Sequence, residues 1–295
     1  MLSILIPTYN YNIYALAVEI QQQCTACGIE FEIICLDDAS NLFHSENNQI
    51  NELSHASYSV LQKNIGRSSI RNLLAKKAKY EWLLFLDADV FPKNKNFIKT
   101  YLVAIELKTF EVIYGGINYK EIKPEKEFVF RWIYGIQREA LNVERRNKNP
   151  YLSFLTLNFL IRKSVITKNQ FNEKIPNLRH EDTLFSYNLM QNKIAVGHID
   201  NPVYHFGLDH FEKAIEKENE SVVALKYLID HKLLAPDYVR ISTVFAKIKK
   251  LHLSSICSIF YKSTRTVFLK NLSSNSPSLF IFDLYRIGYL CSLKK

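Results

Sequence analysis

The chain has 295 residues, 47% apolar and 23% charged, the balance of an ordinary globular protein with room for one large core and an appendage. No stretch approaches the roughly 18 consecutive apolar residues of a membrane-spanning helix. MLSILIPTYN carries no basic leader and its apolar run stops at Pro7, so no secretory signal and a cytoplasmic body are expected. The formal charge of +9 is uneven. Residues 237–295 hold ten bases and two acids, whereas the first 236 residues hold 28 bases and 27 acids. A neutral body with a basic tail points to an anionic partner for that tail.

In chain order, LSILI (2–6) predicts a strand and residues 14–27 a helix. FEIICL (31–36) and YSVL (58–61) predict two more strands, and 67–79 a helix with Ile70, Leu73, Leu74 and Ala78 at helical spacing. The unbroken run WLLFL (82–86) is what a central strand covered on both faces requires. EVIYGG (111–116), TLNFLI (156–161) and KIAVGHI (193–199) predict later strands. Alternation of this kind implies an α/β fold with a largely parallel sheet and crossover helices. From about residue 209 the pattern becomes helical: one helix over 209–232, then two or three beyond Pro236, broken by the Ser/Asn/Pro segment 273–278. The expected organisation is an α/β domain over 1–210 and a basic helical extension over 211–295. Five scattered cysteines, with a lone CxxC at Cys24 and Cys27, predict reduced thiols rather than a four-ligand zinc site.

Ligands of open parallel sheets bind at the carboxyl ends of the strands. Those ends carry Pro7-Thr8-Tyr9-Asn10, Asp37-Asp38-Ala39-Ser40 and Asp87-Ala88-Asp89. Carboxylates two residues apart at the end of a buried strand need a compensating positive charge, and a divalent cation shared with substrate phosphates supplies one. The plain alternative is a loop pair that only caps the next helix. Arg67 and Arg71 lie one helical turn apart, with a solvated surface charge as the alternative for Arg67. Glu181-Asp182 opens a helical run, where Asp182 could be a helix cap, a general base, or both. His205 follows the last core strand, and His198 and His210 are weaker candidates.

SILIPTYN, EIICLDDAS, NIGRSSIRNLLAKKAKYEWLLFLDADV and the later TLNFLIRKSV with RHEDTLFSYNL together resemble the family 2 inverting glycosyltransferases of the Rossmann-like GT-A fold, over roughly residues 2–210. The resemblance implies that Pro7, Tyr9 and Asp38 hold the nucleotide base and ribose, with Asp38 favouring uracil and hence UDP. Asp37 either joins them or only shapes the turn. Asp87, Ala88 and Asp89 match the motif for ribose–diphosphate and Mn²⁺ or Mg²⁺, Asp89 being the direct ligand and His205 a further one. Arg71 approaches the diphosphate or orders the aspartate loop, and Gly115, Gly116 and Asn158 line the donor-sugar pocket. Asp182, with Glu181 beside it, matches the base that deprotonates the acceptor hydroxyl in a one-step inverting displacement. His180 stands where the family more often has glycine.

The implied reaction moves a sugar from a nucleotide-sugar to a saccharide or lipid-linked saccharide in bacterial surface-polysaccharide assembly. The tail, rich in aromatic and basic residues, reads either as helices on the anionic inner face of the cytoplasmic membrane or as helices packed on the core. No nucleic-acid module is present. Two other readings are a non-catalytic sugar-nucleotide-binding or scaffold protein and a nucleotidyltransferase; the latter would carry a glycine-rich phosphate loop where this chain has PTYNYN.

Overall fold

The structure is a computed structural model that describes residues 1–175 and 179–293. The described residues form two compact units. The first comprises Met1–Tyr119, Ala140–Asn177 and Glu181–Gly207, and the second Lys120–Glu139, Leu178–His180 and Leu208–Lys295. The segment 120–139 thus joins the helical unit by its contacts, which chain order does not announce.

Strands β1 (Leu2–Thr8), β2 (Phe31–Asp37), β3 (Ala56–Val60) and β4 (Trp82–Leu86) form one half of the main sheet. Its other half is β6 (Val112–Tyr114), β8 (Asn158–Arg162) and β9 (Val196–His198); β5 (Val90–Pro92), β7 (Ile117–Asn118) and β10 (Val203–His205) make a second, small sheet. The main sheet has the order β3-β2-β1-β4-β8-β6-β9. All neighbours are parallel except that β8 runs against both β4 and β6. Every residue of WLLFL is buried, as a strand covered on both faces must be. Phe85 of β4 pairs in register with Phe159 of β8, and their rings stack at 4.8 Å between centroids.

Helices α1 (Tyr14–Ala26), α2 (His44–Asn48), α3 (Gly66–Lys77), α4 (Phe97–Glu106), α6 (Val143–Asn147), α7 (Lys163–Lys168) and α8 (Glu181–Gln191) complete the first unit. Helix α3 turns Ile70 and Leu74 into the core beside Leu5, Leu83 and Phe85, and Phe154, Phe171 and Phe185 fill the same cluster. Burying such side chains is worth roughly 1.5–3 kcal/mol each and drives this assembly.

The second unit is α5 (Val129–Tyr134), α9 (Phe211–Asp230), α10 (Arg240–Lys250), α11 (Ser254–Leu272) and α12 (Leu279–Ser292). Phe130, Ala214, Ile215, Tyr261, Phe268, Leu272, Phe282 and Tyr285 form its core. Gly288 lets α12 press against α11, because a Cβ there would lie 2.6 Å from Cβ of Tyr261. No described helix is long and apolar enough to cross a membrane.

Candidate active site

The parallel strands β1, β2 and β4 end on one rim, and the ends of β1 and β2 are tied together. The amide of Asp38 donates to the carbonyl of Thr8 (2.8 Å), and the amide of Asn10 donates to Oγ of Ser40 (2.7 Å). Asp37 is fully buried; its two oxygens accept from the amide of Ser40 (2.7 Å) and the hydroxyl of Tyr58 (2.6 Å). That bonding gives Asp37 the turn-shaping role. Asp38 is also buried, with its two oxygens accepting from the amides of Ile65 (2.7 Å) and Gly66 (2.9 Å). It therefore satisfies the unpaired amides that open α3, in the manner of a cap supplied from another loop. A carboxylate oxygen has a second lone pair, so a base N–H could still be accepted there. Pro7 is partly covered at the end of β1, while Tyr9 is 53% exposed on the rim.

Asp87 and Asp89 flank the turn between β4 and β5, with Ala88 between them. The two carboxylates have different partners. Oδ1 of Asp87 accepts from Nη2 of Arg71 at 2.8 Å, whereas Oδ2 of Asp89 lies 3.2 Å from Nε2 of His205. The small sheet explains the second contact: β5 and β10 pair antiparallel with Val90 opposite His205, so the residue before β5 meets the end of β10. The ring of Tyr119 packs edgewise on His205 at 5.6 Å. Gly207 leaves room for this carboxylate, since a Cβ on it would fall 2.1 Å from Oδ2 of Asp89 and push that side chain aside.

Arg71 joins this turn to the start of α8. It is 5% exposed and stacks over Phe171 at 5.5 Å; besides Asp87 it donates from Nη1 to Oε1 of Glu181 at 3.3 Å. Arg67, 42% exposed, adds a second contact to Glu181 at 3.6 Å. Burial acts to lower the Arg71 pKa, but Asp87 and Glu181 outweigh it and hold the guanidinium above its ordinary value. Burial pushes Asp87 above the usual carboxylate range even with Arg71 beside it. Glu181 is thus a buried, doubly paired brace.

Asp182 is different. It sits in the first turn of α8, which begins at Glu181, and its Oδ1 accepts from Thr183, at 2.6 Å from the amide and 3.3 Å from the hydroxyl. Burial, then the charge of Glu181, raises its pKa to about 6. This local bonding is not the bond to the second or third residue onward that defines a helix cap. His180, just before, holds a φ of 74°, the left-handed conformation that glycine adopts without strain.

Asn158 has no surface to offer a ligand. It is completely buried, donates from Nδ2 to the carbonyls of Gly116 (2.9 Å) and Asn201 (3.0 Å), and accepts from the hydroxyl of Tyr101 (2.7 Å). It braces the end of β6 through these bonds. Gly116 has a φ of 107°, and a Cβ there would lie 3.0 Å from the guanidinium of Arg146. His198 gives its Nε2 to the carbonyl of Pro150, and burial brings its pKa down to about 4, a neutral structural ring. His210 belongs to the second unit, stacked on Phe128.

The sequence model of glycosyl transferase family 2 matches residues 3–168, more than half of the chain. The chain belongs to that family. No curated protein sequence matches it. Among solved structures, S. aureus TarS 1–349 in complex with UDP-GlcNAc is 19% identical at a TM-score of 0.54, the alignment covering 97% of this chain and 90% of that one. The mannosyltransferase PcManGT from Pyrobaculum calidifontis, in complex with GDP-Man and Mn²⁺, is 12% identical at a TM-score of 0.56, covering 78% of this chain and 64% of that one. These likenesses identify the fold as GT-A, a mostly parallel sheet flanked by helices.

Two further residues of this family 2 member take their roles from tertiary contacts. Arg146, 2% exposed, donates to the carbonyls of Tyr114 (3.4 Å) and Ile199 (2.9 Å) and clamps the ends of β6 and β9. In VERRN nothing distinguishes this buried arginine from its exposed neighbour. Tyr11 lies within the field of Asp89; burial, then that charge, raises its pKa. Its place directly after PTYN was the available signal.

Proposed function

We propose that the chain is an inverting, metal-dependent glycosyltransferase that moves a sugar from a nucleotide-sugar, UDP favoured, to a saccharide or lipid-linked saccharide acceptor. The observation that carries this reading is Arg71, which ties Asp87 on the aspartate turn to Glu181 beside Asp182. One buried cation thereby couples the donor-side carboxylates to the base-bearing helix.

In this reading Asp182 takes the proton of the acceptor hydroxyl as its oxygen attacks the anomeric carbon. A carboxylate with a pKa of about 6 is ionised at neutral pH yet more basic than an ordinary one, which suits that task. Single-step displacement with one base inverts the anomeric centre. Pro7, Tyr9 and Asp38 hold the nucleoside, Ala88 and Gly116 border the donor, and Arg71 orders the aspartate turn.

Among the described residues no group of three His, Cys, Asp or Glu side chains gathers for an ion. Asp89 and His205 nevertheless stand 3.2 Å apart, with Gly207 clearing the space beside them. A hard divalent cation of this kind is held by one or two protein carboxylates together with substrate phosphates, so the donor set fits Mn²⁺ or Mg²⁺ with Asp87 as an added ligand. When bound, the ion neutralises charge growing on the leaving diphosphate.

Surface-polysaccharide assembly is the proposed setting, with the chain peripheral on the inner face of the cytoplasmic membrane through residues 237–295. The test is a donor screen with Mn²⁺, with and without lipid-linked acceptor, reading release of nucleoside diphosphate. Release from a UDP-sugar is expected. No release from any sugar nucleotide would favour a non-catalytic binding protein instead.

A further inference from the structure

We infer that α10 and α11 build a membrane-docking face whose occupant is an anionic lipid surface, with α11 lying in the plane of the interface. This rests on the peripheral placement of residues 237–295 proposed above and names the residues that make the contact.

Helix α11 has two opposite apolar stripes. Tyr261, Phe268 and Leu272 face the core of the second unit. Ile256, Ile259, Phe260 and Val267 recur at three- and four-residue spacing on the other side. They are 63%, 68%, 52% and 65% exposed. The turn leading into the helix adds Leu251, 65% exposed, and Leu253, 39% exposed. Just before it, Lys247, Lys249 and Lys250 occupy the last turn of α10, and Lys262 and Lys270 are exposed on α11 itself.

From residue 238 to 282 there are seven Lys or Arg residues and no Asp or Glu. That charge decides between occupants. A second copy of the chain, meeting this face by twofold symmetry, would set the same basic surface against itself. A nucleic acid would pair with the lysines but leave the apolar stripe in water. An anionic bilayer takes both: the stripe enters the boundary between headgroups and acyl chains, while the lysines extend their stems to the phosphates. The helix is too short of apolar residues to cross, so it rests on the surface.

The test uses the full chain with neither donor nor metal ion, so its outcome is independent of sugar transfer. The chain should sediment with vesicles of phosphatidylglycerol and phosphatidylcholine and not with phosphatidylcholine alone. The triple variant Ile256→Ser, Ile259→Ser, Val267→Ser should weaken that binding by on the order of a hundredfold. Its circular dichroism and Tm should be unchanged, because the altered side chains are exposed. A separate Phe260→Trp variant should show emission quenched by brominated acyl chains beyond the background of Trp82 and Trp132. Failure of the wild-type chain to bind anionic vesicles, or equal binding by the triple variant, would overturn the inference. So would a lipid-free dimer in sedimentation velocity that the triple variant abolishes, which would assign the face to a second copy.

Discussion

Replacing Arg71 by Met removes the cation between Asp87 and Glu181 while keeping an apolar stem over Phe171. Arg71 is 5% exposed and bonds Asp87 at 2.8 Å and Glu181 at 3.3 Å. Breaking a buried ion pair from one side costs about 3–5 kcal/mol. Asp87 is 32% exposed and can be partly rehydrated, which favours the lower end of that range. At about 2–4 °C per kcal/mol for a chain of this size, Tm should fall by roughly 6–12 °C. Stranded carboxylates relieve the penalty by taking up protons. A carboxyl whose folded pKa lies above its unfolded value binds more protons in the folded state, so stability drops as pH rises through that window. The deficit should therefore be larger near about pH 8 than near about pH 5. Arg71 also acts to lower the Asp182 pKa, so its loss should move the acid limb of kcat/KM to higher pH. Calorimetry at the two pH values and a pH–rate profile check both parts, with Arg71→Lys intermediate. An equal Tm deficit at both pH values together with an unmoved acid limb would refute the bridging role.

In the wild-type chain, kcat/KM should rise with pH through about 6 as Asp182 ionises, and a pH–rate profile at saturating metal reads this directly. The same raised pKa predicts that the Asp182 contribution lowers stability as pH climbs from 3.8 towards 6, measurable as a Tm difference from Asp182→Asn that grows over that window. Gly207→Ala brings a methyl to 2.1 Å from Oδ2 of Asp89, so the carboxylate must swing by about 1 Å, and metal-activated transfer should fall by on the order of a hundredfold with Tm little changed. Mn²⁺ titration of nucleoside diphosphate release checks it. Arg146→Met removes the donor to the carbonyl of Ile199, while the carbonyl of Tyr114 keeps the amide of Ile199 at 3.1 Å, and should cost about 1–3 kcal/mol in denaturant unfolding, the penalty of one buried group left unsatisfied.

The main sheet was legible because β1, β2 and β4 are apolar runs that must be buried on both faces. Direction was not: the short apolar run FLI (159–161) reads the same whether β8 runs with or against its neighbours. The small sheet lay below any pattern, its strands being two or three residues long, yet it alone brings His205 to Asp89. Helix α4 carries a helical signal of its own, since Phe97, Ile98, Tyr101 and Ala104 are spaced for one buried face. Of the candidate residues, the acidic ends of strands stood out because charge beside an apolar strand is costly. Their division of labour did not, because which of two neighbouring carboxylates meets an arginine depends on tertiary contacts. Asp38 as a cap for α3, and Asn158 as a brace, arise from loops far apart in sequence.

The central claim is that the carboxylates divide, with Asp89 holding donor and metal and Asp182 moving the proton. It is tested most directly by measuring Mn²⁺-dependent UDP-sugar binding and sugar transfer side by side on Asp89→Ala and Asp182→Asn. The account predicts that Asp89→Ala loses metal-dependent donor binding. Asp182→Asn should bind donor as the wild type does while transfer falls by roughly a hundredfold or more. Full transfer by Asp182→Asn, or undiminished metal-dependent binding by Asp89→Ala, would contradict it.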